Sequence, residues 1–291
     1  MLTIPAGTFT LGAGARYPEE RPQQQFTLNS FRLSRTEVTN AQFAAFVAAT
    51  GYVTLAEHPP NAADHPNIPA ELLKPGAAVF APPTNSANPL SGWQFIEGAS
   101  WRTPTGPGSN IAGRDHFPVI HIAFADAQAY AAWKGHRLPT EAEHEYAARG
   151  GQEGTTFAWG DQFLIDGQHQ ANTWQGAFPF FNSRADGHAG LAPVGCYPPN
   201  GYGLHDMIGN VWEWTSTPYY PSHQPAAPSP AKDQADPGHD PHQPGVPVRV
   251  IKGGSYLCAP NYCQRYRPAA RQAQDTGLGT AHIGFRTAQD L

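Results

Sequence analysis

Charge is scarce in this chain. Asp, Glu, Lys and Arg make up 14% of its 291 residues, against roughly 25% in an average soluble protein. The formal net charge is −5, so there is no basic surplus to meet phosphates, and nucleic acid is excluded as a partner. Long apolar runs are missing too. No window approaches the ~18 consecutive apolar residues of a membrane span, so no membrane partner is expected. The opening MLTIPAGTF has neither a basic stretch nor an apolar one after it, so no secretory signal is visible. Cysteine occurs three times, too few for a disulfide framework, and a reducing, cytoplasmic location is the expectation.

Glycine and proline are abundant at 30 each, about a fifth of the chain against roughly 12% on average, which describes a loop-rich protein. Seven tryptophans, 15 phenylalanines and 11 tyrosines supply the apolar mass for a core. A chain this long can bury roughly 75% of its unfolded surface, and one domain over residues 1–291 is expected.

Residues 2–11 and 25–34 are β-branched and aromatic runs that read as strands. A helix follows, with Thr39 as cap, Phe43, Phe46 and Val47 on one face and Gly51 as its stop. Glu37 reads as a structural carboxylate at the strand-to-helix junction. Residues 57–92 form a surface excursion, a candidate edge of a substrate groove. PVIHI reads as a strand. Asp126 to Lys134 reads as a helix that buries Tyr130 and Trp133 and stops at Gly135. Thr140 with Glu143 makes a capping box for a further helix closed by Gly150. Residues 218–247, rich in proline with scattered histidines, read as an exposed loop, and VPVRVIKGG reads as a strand. Composition and pattern by themselves indicate an irregular α+β fold.

The stretch GGSYLCAPNYCQRYRPAAR, residues 253–271, holds two of the three cysteines, Cys258 and Cys263, with four residues between them. Thiols this close can form a disulfide, hold a soft metal, or act as nucleophile and resolving partner; they can also be plain buried hydrophobes. Cys196 reads as a buried free thiol.

The runs GGSYLC, YC, RYR and AAR, with PAGTFTLG, RLPTEAEHEYAARGG, FAWGDQ, GNVWEWTS and the terminal GFR, resemble the formylglycine-generating enzymes, or sulfatase-modifying factors, over nearly the whole chain. That resemblance implies a C-type-lectin-like α+β fold with little regular secondary structure. It also implies an oxidase that converts the cysteine of a Cys-x-Pro-x-Arg segment in an unfolded sulfatase to Cα-formylglycine, with O2 and a thiol reductant. Cys258 and Cys263 then become ligands of Cu(I), a soft ion that prefers few sulfur ligands, and Ser255, Trp212 and Tyr262 line the active site. Two structural calcium ions are implied as well. One matches Asn172 and Asp186 by side chain and Thr173 and His188 by carbonyl. The other matches Asp206 and Glu213 by side chain and Gly209 and Val211 by carbonyl. Without the resemblance these Asn and Asp residues would read as turns.

Some positions depart from the family. His144 stands where tryptophan is usual and reads as a packing substitution. Ala131, Ala148, Pro268 and Thr287 stand where secretory members carry cysteines of two structural disulfides, which suits a cytoplasmic member. Structural zinc is disfavoured by having only two neighbouring thiols, and dithiol exchange by the lack of Cys-x-x-Cys. A lectin-like binding module is the alternative of another class, as is an oxidase of this fold with another thiol client. The iron-dependent sulfoxide synthase branch is disfavoured because no His-x-x-x-His-x-Glu pattern occurs.

Overall fold

The structure is a computed structural model describing residues 1–62, 69, 71, 73–83, 92–223 and 236–291. The two N-terminal runs each divide into two short strands, β1 (Leu2–Ile4) and β2 (Gly7–Leu11), then β3 (Gln24–Leu28) and β4 (Phe31–Leu33). Strand β2 pairs antiparallel with β3, while β1 pairs with β4. Helix α1 (Asn40–Thr50) starts where Thr39 Oγ1 accepts from the Gln42 amide and ends at left-handed Gly51, so both boundaries are local events. Part of the 57–92 excursion lies outside the described residues. From it, β5 (Gly76–Phe80) pairs with β6 (Trp93–Glu97), which follows directly after it.

PVIHI is not a strand. Pro118 makes only an isolated bridge with Thr39, and His121 takes a positive φ of 59°. A proline lacks the amide a ladder needs, and a left-handed residue breaks its direction. The backbone there bonds outward, Val119 N to Val38 O and His121 N to Thr280 O. Helix α2 (Phe124–Trp133) buries Tyr130 as expected but leaves Trp133 41% exposed. Trp133 lies on the rim, packed on Phe46 and Tyr130 with the Lys134 ammonium over its ring. Helix α3 (Glu141–Arg149) has the expected capping box and left-handed Gly150.

Two short strands, β7 (Leu164–Ile165) and β8 (Gln168–His169), pair with each other. The central sheet follows: β9 (Trp212–Pro218), β10 (Val248–Lys252), β11 (Arg271–Asp275) and β12 (Ile283–Gly284), in the order β11-β10-β9-β12, with β12 parallel to β9. The last strand, β13 (Ala288–Asp290), returns to pair with β4. The main core gathers Phe43, Trp101, Trp212, Trp214, Phe285 and Cys258. A second core packs Tyr146 and Ala147 of α3 on Phe9, Leu11 and Leu204. The 218–247 segment is only partly a surface loop. His223 and Asp240 are buried, and residues 224–235 lie outside the described residues.

Every residue of α3 is buried, its three glutamates included. Buried carboxylates need partners: Arg137 supplies Glu143, and the central sheet supplies the other two. Lys252 Nζ, itself 0% exposed, lies 2.9 Å from Glu145 Oε2. Arg271 reaches Glu141 with two nitrogens, at 2.7 and 3.1 Å. Glu145 also accepts from Arg149 and from the Gly12 amide. Burial opposes ionisation of Glu145, but Lys252 and Arg149 outweigh it and hold its pKa below the usual carboxylate value. A depressed folded-state pKa contributes stability that is complete above the unfolded value and lost as pH falls through the folded one.

Glu145→Ala should therefore lower the urea midpoint at neutral pH by the equivalent of about 3–5 kcal/mol, since it removes the nearest counter-charge of buried Lys252 and the carboxylate partner of Arg149, leaving Lys252 only Glu141 at 3.8 Å. The loss should shrink on acidification, because the wild-type contribution disappears there. An unchanged midpoint would show that Glu141 alone balances Lys252.

Candidate active site: a thiol pair in a cleft

Strand β10 ends at Lys252, and Gly253 and Gly254 turn the chain at φ of 90° and 77°. A Cβ at Gly254 would stand 2.8 Å from the Arg265 carbonyl, so only glycine fits this crossing. Next comes a tight turn: the Cys258 amide donates to Ser255 O at 2.9 Å and the Leu257 amide to Ser255 Oγ at 3.3 Å. The Trp174 amide holds Cys258 O at 2.9 Å, and the Tyr262 amide donates to Ala259 O at 3.1 Å. Together these turns bring Cys258 Sγ and Cys263 Sγ to 3.1 Å. A disulfide would measure about 2.05 Å, so the pair is reduced and shares a hydrogen bond.

Both sulfurs face a cleft of about 490 Å³, and Ser255, Trp212 and Tyr262 line the same cleft. The five residues singled out from the resemblance thus surround one space. Cys258 is 2% exposed and Ser255 is buried, whereas Tyr262 is 59% exposed. The Tyr262 ring stacks on Phe178 at 4.4 Å, and the Asn261 side chain bonds both the amide and the carbonyl of Phe178. The opposite wall is formed by Ala78, from the excursion read as a groove edge, and by Trp93, Thr280 and His282, which the sequence did not single out. Trp93 and His282 meet with ring centres 4.7 Å apart, and His282 Nδ1 shares a hydrogen bond of 2.8 Å with Thr280 Oγ1. These residues lie far apart in the chain and carry no local signal of a shared site.

The two thiols differ. Burial pushes the Cys258 pKa well up, and its hydrogen bond to Cys263 adds to this. Cys263 is pulled down to about 6 by the hydrogen bond from Cys258, with help from the Arg265 guanidinium against the cost of burial. The Arg265 guanidinium beside Cys263 thus favours the thiolate there over one at the more deeply buried Cys258. Arg265 is held in turn by Glu19 at 2.5 Å and lies over the Tyr17 ring, while Tyr17 Oη accepts from the Gln264 amide. A loop more than 240 residues upstream thus braces the segment that carries Cys263.

Among the residues proposed for calcium, Thr173 O and Asp186 Oδ2 converge on one donor, Gln175 Nε2, while Asn172 bonds Gly190 O and Asn210. The His188 amide donates to Asp186 Oδ1. In the second group, Asp206 accepts from the Gly195 amide, and Gly209 and Val211 lie in the turn leading into β9. Glu213 is doubly bonded to Arg286, at 2.6 and 2.7 Å, and lies 3.2 Å from His144 Nε2. His144 is therefore a polar partner as well as a packing residue. Glu37, read as structural, accepts from Asn210 with one oxygen; its other oxygen is buried without a hydrogen bond among the described residues. Burial, reinforced by Asp206, raises the Glu37 pKa, and burial also raises that of Asp206. Cys196, expected to be buried, is exposed.

The whole chain, residues 1–291, matches the family described as Sulfatase-modifying factor enzyme 1-like domain. The formylglycine-generating enzyme of Mycobacterium tuberculosis is 50% identical over 300 residues, covering 100% of this chain and 97% of the relative. That of Streptomyces coelicolor is 44% identical, covering 99% and 88%. Among solved structures, PvdO from Pseudomonas aeruginosa is 25% identical with a TM-score of 0.67, covering 99% of this chain and 93% of that one.

Iodoacetamide should label Cys263 of the reduced, copper-free protein ahead of Cys258, with a rate that rises through pH ~6 and is lost below it. Cys258→Ala removes the thiol that donates to Cys263 and should move that midpoint upward. Labelling with a midpoint at the ordinary thiol value near 8.5 would contradict the assignment.

Proposed function

Since this chain belongs to the formylglycine-generating enzyme (sulfatase-modifying factor) family of oxidases, we propose that it converts the cysteine of a Cys-x-Pro-x-Arg segment in an unfolded sulfatase to Cα-formylglycine. Atoms and electrons balance when the cysteine and two reductant thiols each give O2 two electrons. The peptide CH2–SH becomes an aldehyde, its sulfur leaves as sulfide, one water forms and the reductant becomes a disulfide. The observation that carries this reading is the reduced thiol pair, 3.1 Å apart, facing an open cleft of about 490 Å³.

Cys258 and Cys263 are the residues that would hold Cu(I): two thiols, one of them favoured as the thiolate, at the end of an open cleft are a soft donor set with room for another ligand. Bound copper supplies the one-electron steps that O2 and thiols lack between themselves. The chain's own residues bind and orient. Tyr262, stacked on Phe178, and Trp212 wall the approach, and Ser255 lines the same cleft. Access requires an extended client with its backbone unpaired, as only an unfolded segment offers. A binding role alone would have no use for a reduced, asymmetric thiol pair.

The calcium-type loops are proposed to hold structural cations on the strength of the family resemblance and of Thr173 O and Asp186 Oδ2, which meet at a single donor, Gln175 Nε2. A cytoplasmic setting fits the reduced cysteines and the alanines at 131 and 148.

Incubating a Cys-x-Pro-x-Arg peptide with copper-loaded protein, O2 and dithiothreitol should give the mass loss of thiol-to-aldehyde conversion. Cys258→Ser and Cys263→Ser should each abolish stoichiometric Cu(I) binding and turnover. Full copper and full turnover in the Cys263→Ser protein would overturn the two-thiolate site. Chelation with EGTA should lower the melting temperature while Cu(I) affinity is retained. An unchanged melting temperature after verified calcium removal would reduce these loops to turns.

A further inference from the structure

Strand β6 has a neighbour on one side only. It pairs with β5 in a two-stranded sheet, and β5 is tied to the rest of the protein by a bridge from Ala78 to Thr280. The phase of the β5–β6 ladder follows from its two ends. The Ala81 amide donates to Gly92 O at 2.8 Å, and the Gly98 amide donates to Pro75 O at 2.9 Å. Bonded and unbonded rungs alternate in an antiparallel pair, so Gln94 and Ile96 bond to β5. The amides and carbonyls of Trp93, Phe95 and Glu97 therefore point away from it, and among the described residues none of them makes a hydrogen bond.

The same alternation sorts the side chains. Ala77, Val79 and Ile96 face inward and pack with Ala56 and Ala99. Ala78, Phe80, Trp93 and Phe95 share the other face, and Ala78 and Trp93 are walls of the thiol cleft. Phe80 meets Trp93 at 5.4 Å and stacks on Phe178 at 5.6 Å, and Phe178 carries the Tyr262 ring next to Cys263. This aromatic strip is thus continuous with the cleft. At its outer end Phe95 is 54% exposed, with its ring over Gly76, where a Cβ would stand 2.9 Å from the ring. Exposed flat edges with large apolar side chains are templates for pairing with another chain, and proteins blunt them with proline, lysine or a bulge. WQFIE has no proline or lysine, and its register with β5 is unbroken.

We propose that β6 is a docking edge on which a polypeptide client adds an extended strand, so that a segment flanking the reacting cysteine is held beside the thiol cleft. This rests on the oxidase reading for its client, but on no residue of the modified segment. What the edge offers defines the occupant. Its open amides and carbonyls require an extended backbone whose own groups are unpaired. The exposed Phe95 ring next to Trp93 requires apolar side chains at alternate positions of that backbone. A folded protein hides both features and an unfolded one presents both. A chain that leaves the edge at Trp93 is already at the cleft wall, so docking raises the effective concentration of its cysteine at the thiol pair. Continuity with the cleft assigns the edge to the client rather than to a second copy of this chain.

The probes are Ser-x-Pro-x-Arg peptides labelled for anisotropy, which bind without being oxidised, and Cys-x-Pro-x-Arg counterparts for kcat/KM. Each carries, through a short spacer at both ends, a Thr-Val-Thr-Val-Thr flank or a Gly-Ser flank of equal length. On wild type the Thr-Val flank should improve both affinity and kcat/KM by about tenfold, as a few net hydrogen bonds imply. N-methylation of every flank amide should abolish that gain. Glu97→Pro takes away an outward amide while the ladder bonds made by Gln94 and Ile96 stay, and Phe95→Ser takes away the ring. Both variants should lose the gain and leave the Gly-Ser peptides unaffected. If wild type shows no gain, or the gain survives N-methylation or Glu97→Pro, the inference is wrong, and oxidation of the cysteine peptides keeps the oxidase reading. If the Thr-Val flank docks through β6 but no cysteine peptide is oxidised, the oxidase reading fails and the docking edge stands. A dimer that Glu97→Pro disperses would give the edge to a second copy and overturn the inference too. Melting temperatures separate loss of fold from loss of docking, and the N-methylated peptides test the edge on the wild-type protein alone.

Discussion

Two buried cations clamp the base of the segment that carries the cysteines. Lys252 and Arg271 face each other across the β10–β11 register, and residues 253–270 leave and return between them. Both side chains reach α3, Lys252 to Glu145 and Arg271 to Glu141. Arg271 also donates to the carbonyls of Glu19 and Tyr220. A long irregular loop closes at an entropic cost, and here its mouth is held by ion pairs that water does not reach. Because an unpaired charge at such depth is expensive, the loop, the helix and the sheet hold or fail together.

That clamp sets up the chemistry. With the mouth of the loop closed, two tight turns suffice to bring the thiols together, and the 14–22 segment braces the far side through Tyr17, Glu19 and Glu20 against Gln264, Arg265 and Arg267. The pair then becomes asymmetric through its surroundings. Cys258 lies in the main core next to Trp212 and resists ionisation, while Cys263, nearer solvent and beside Arg265, favours the thiolate. One sulfur is thus anchored by packing and the other activated by electrostatics, and both face a cleft whose walls come from β5, β6 and the residues before β12.

Features that depend on adjacent residues were legible in the sequence. Thr39 and Gly51 bound α1, Thr140 and Gly150 bound α3, and VRVIK is a strand, because caps, left-handed glycines and β-branched runs act within a few residues. PVIHI failed as a strand because its apolar pattern says nothing about the backbone sign at His121, which follows from bonding to Thr280. Trp133 was expected inside because it is large and apolar, yet α2 lies at the rim and the core side was already filled by Tyr130. Cys196 is exposed for a comparable reason, since a thiol's burial depends on what covers its loop.

From its motifs alone the chain showed its family, its loop-rich α+β class and the five residues that meet around the cleft, because these are patterns of residue type at short spacing. Only the tertiary structure decided which thiol ionises more readily, since that depends on burial and on an arginine braced from the opposite end of the chain. It also decided that Trp93, His282 and Asp275 share a cleft with Cys258. Segments distant in sequence meet only when strands pair, and spacing along a chain does not record that pairing.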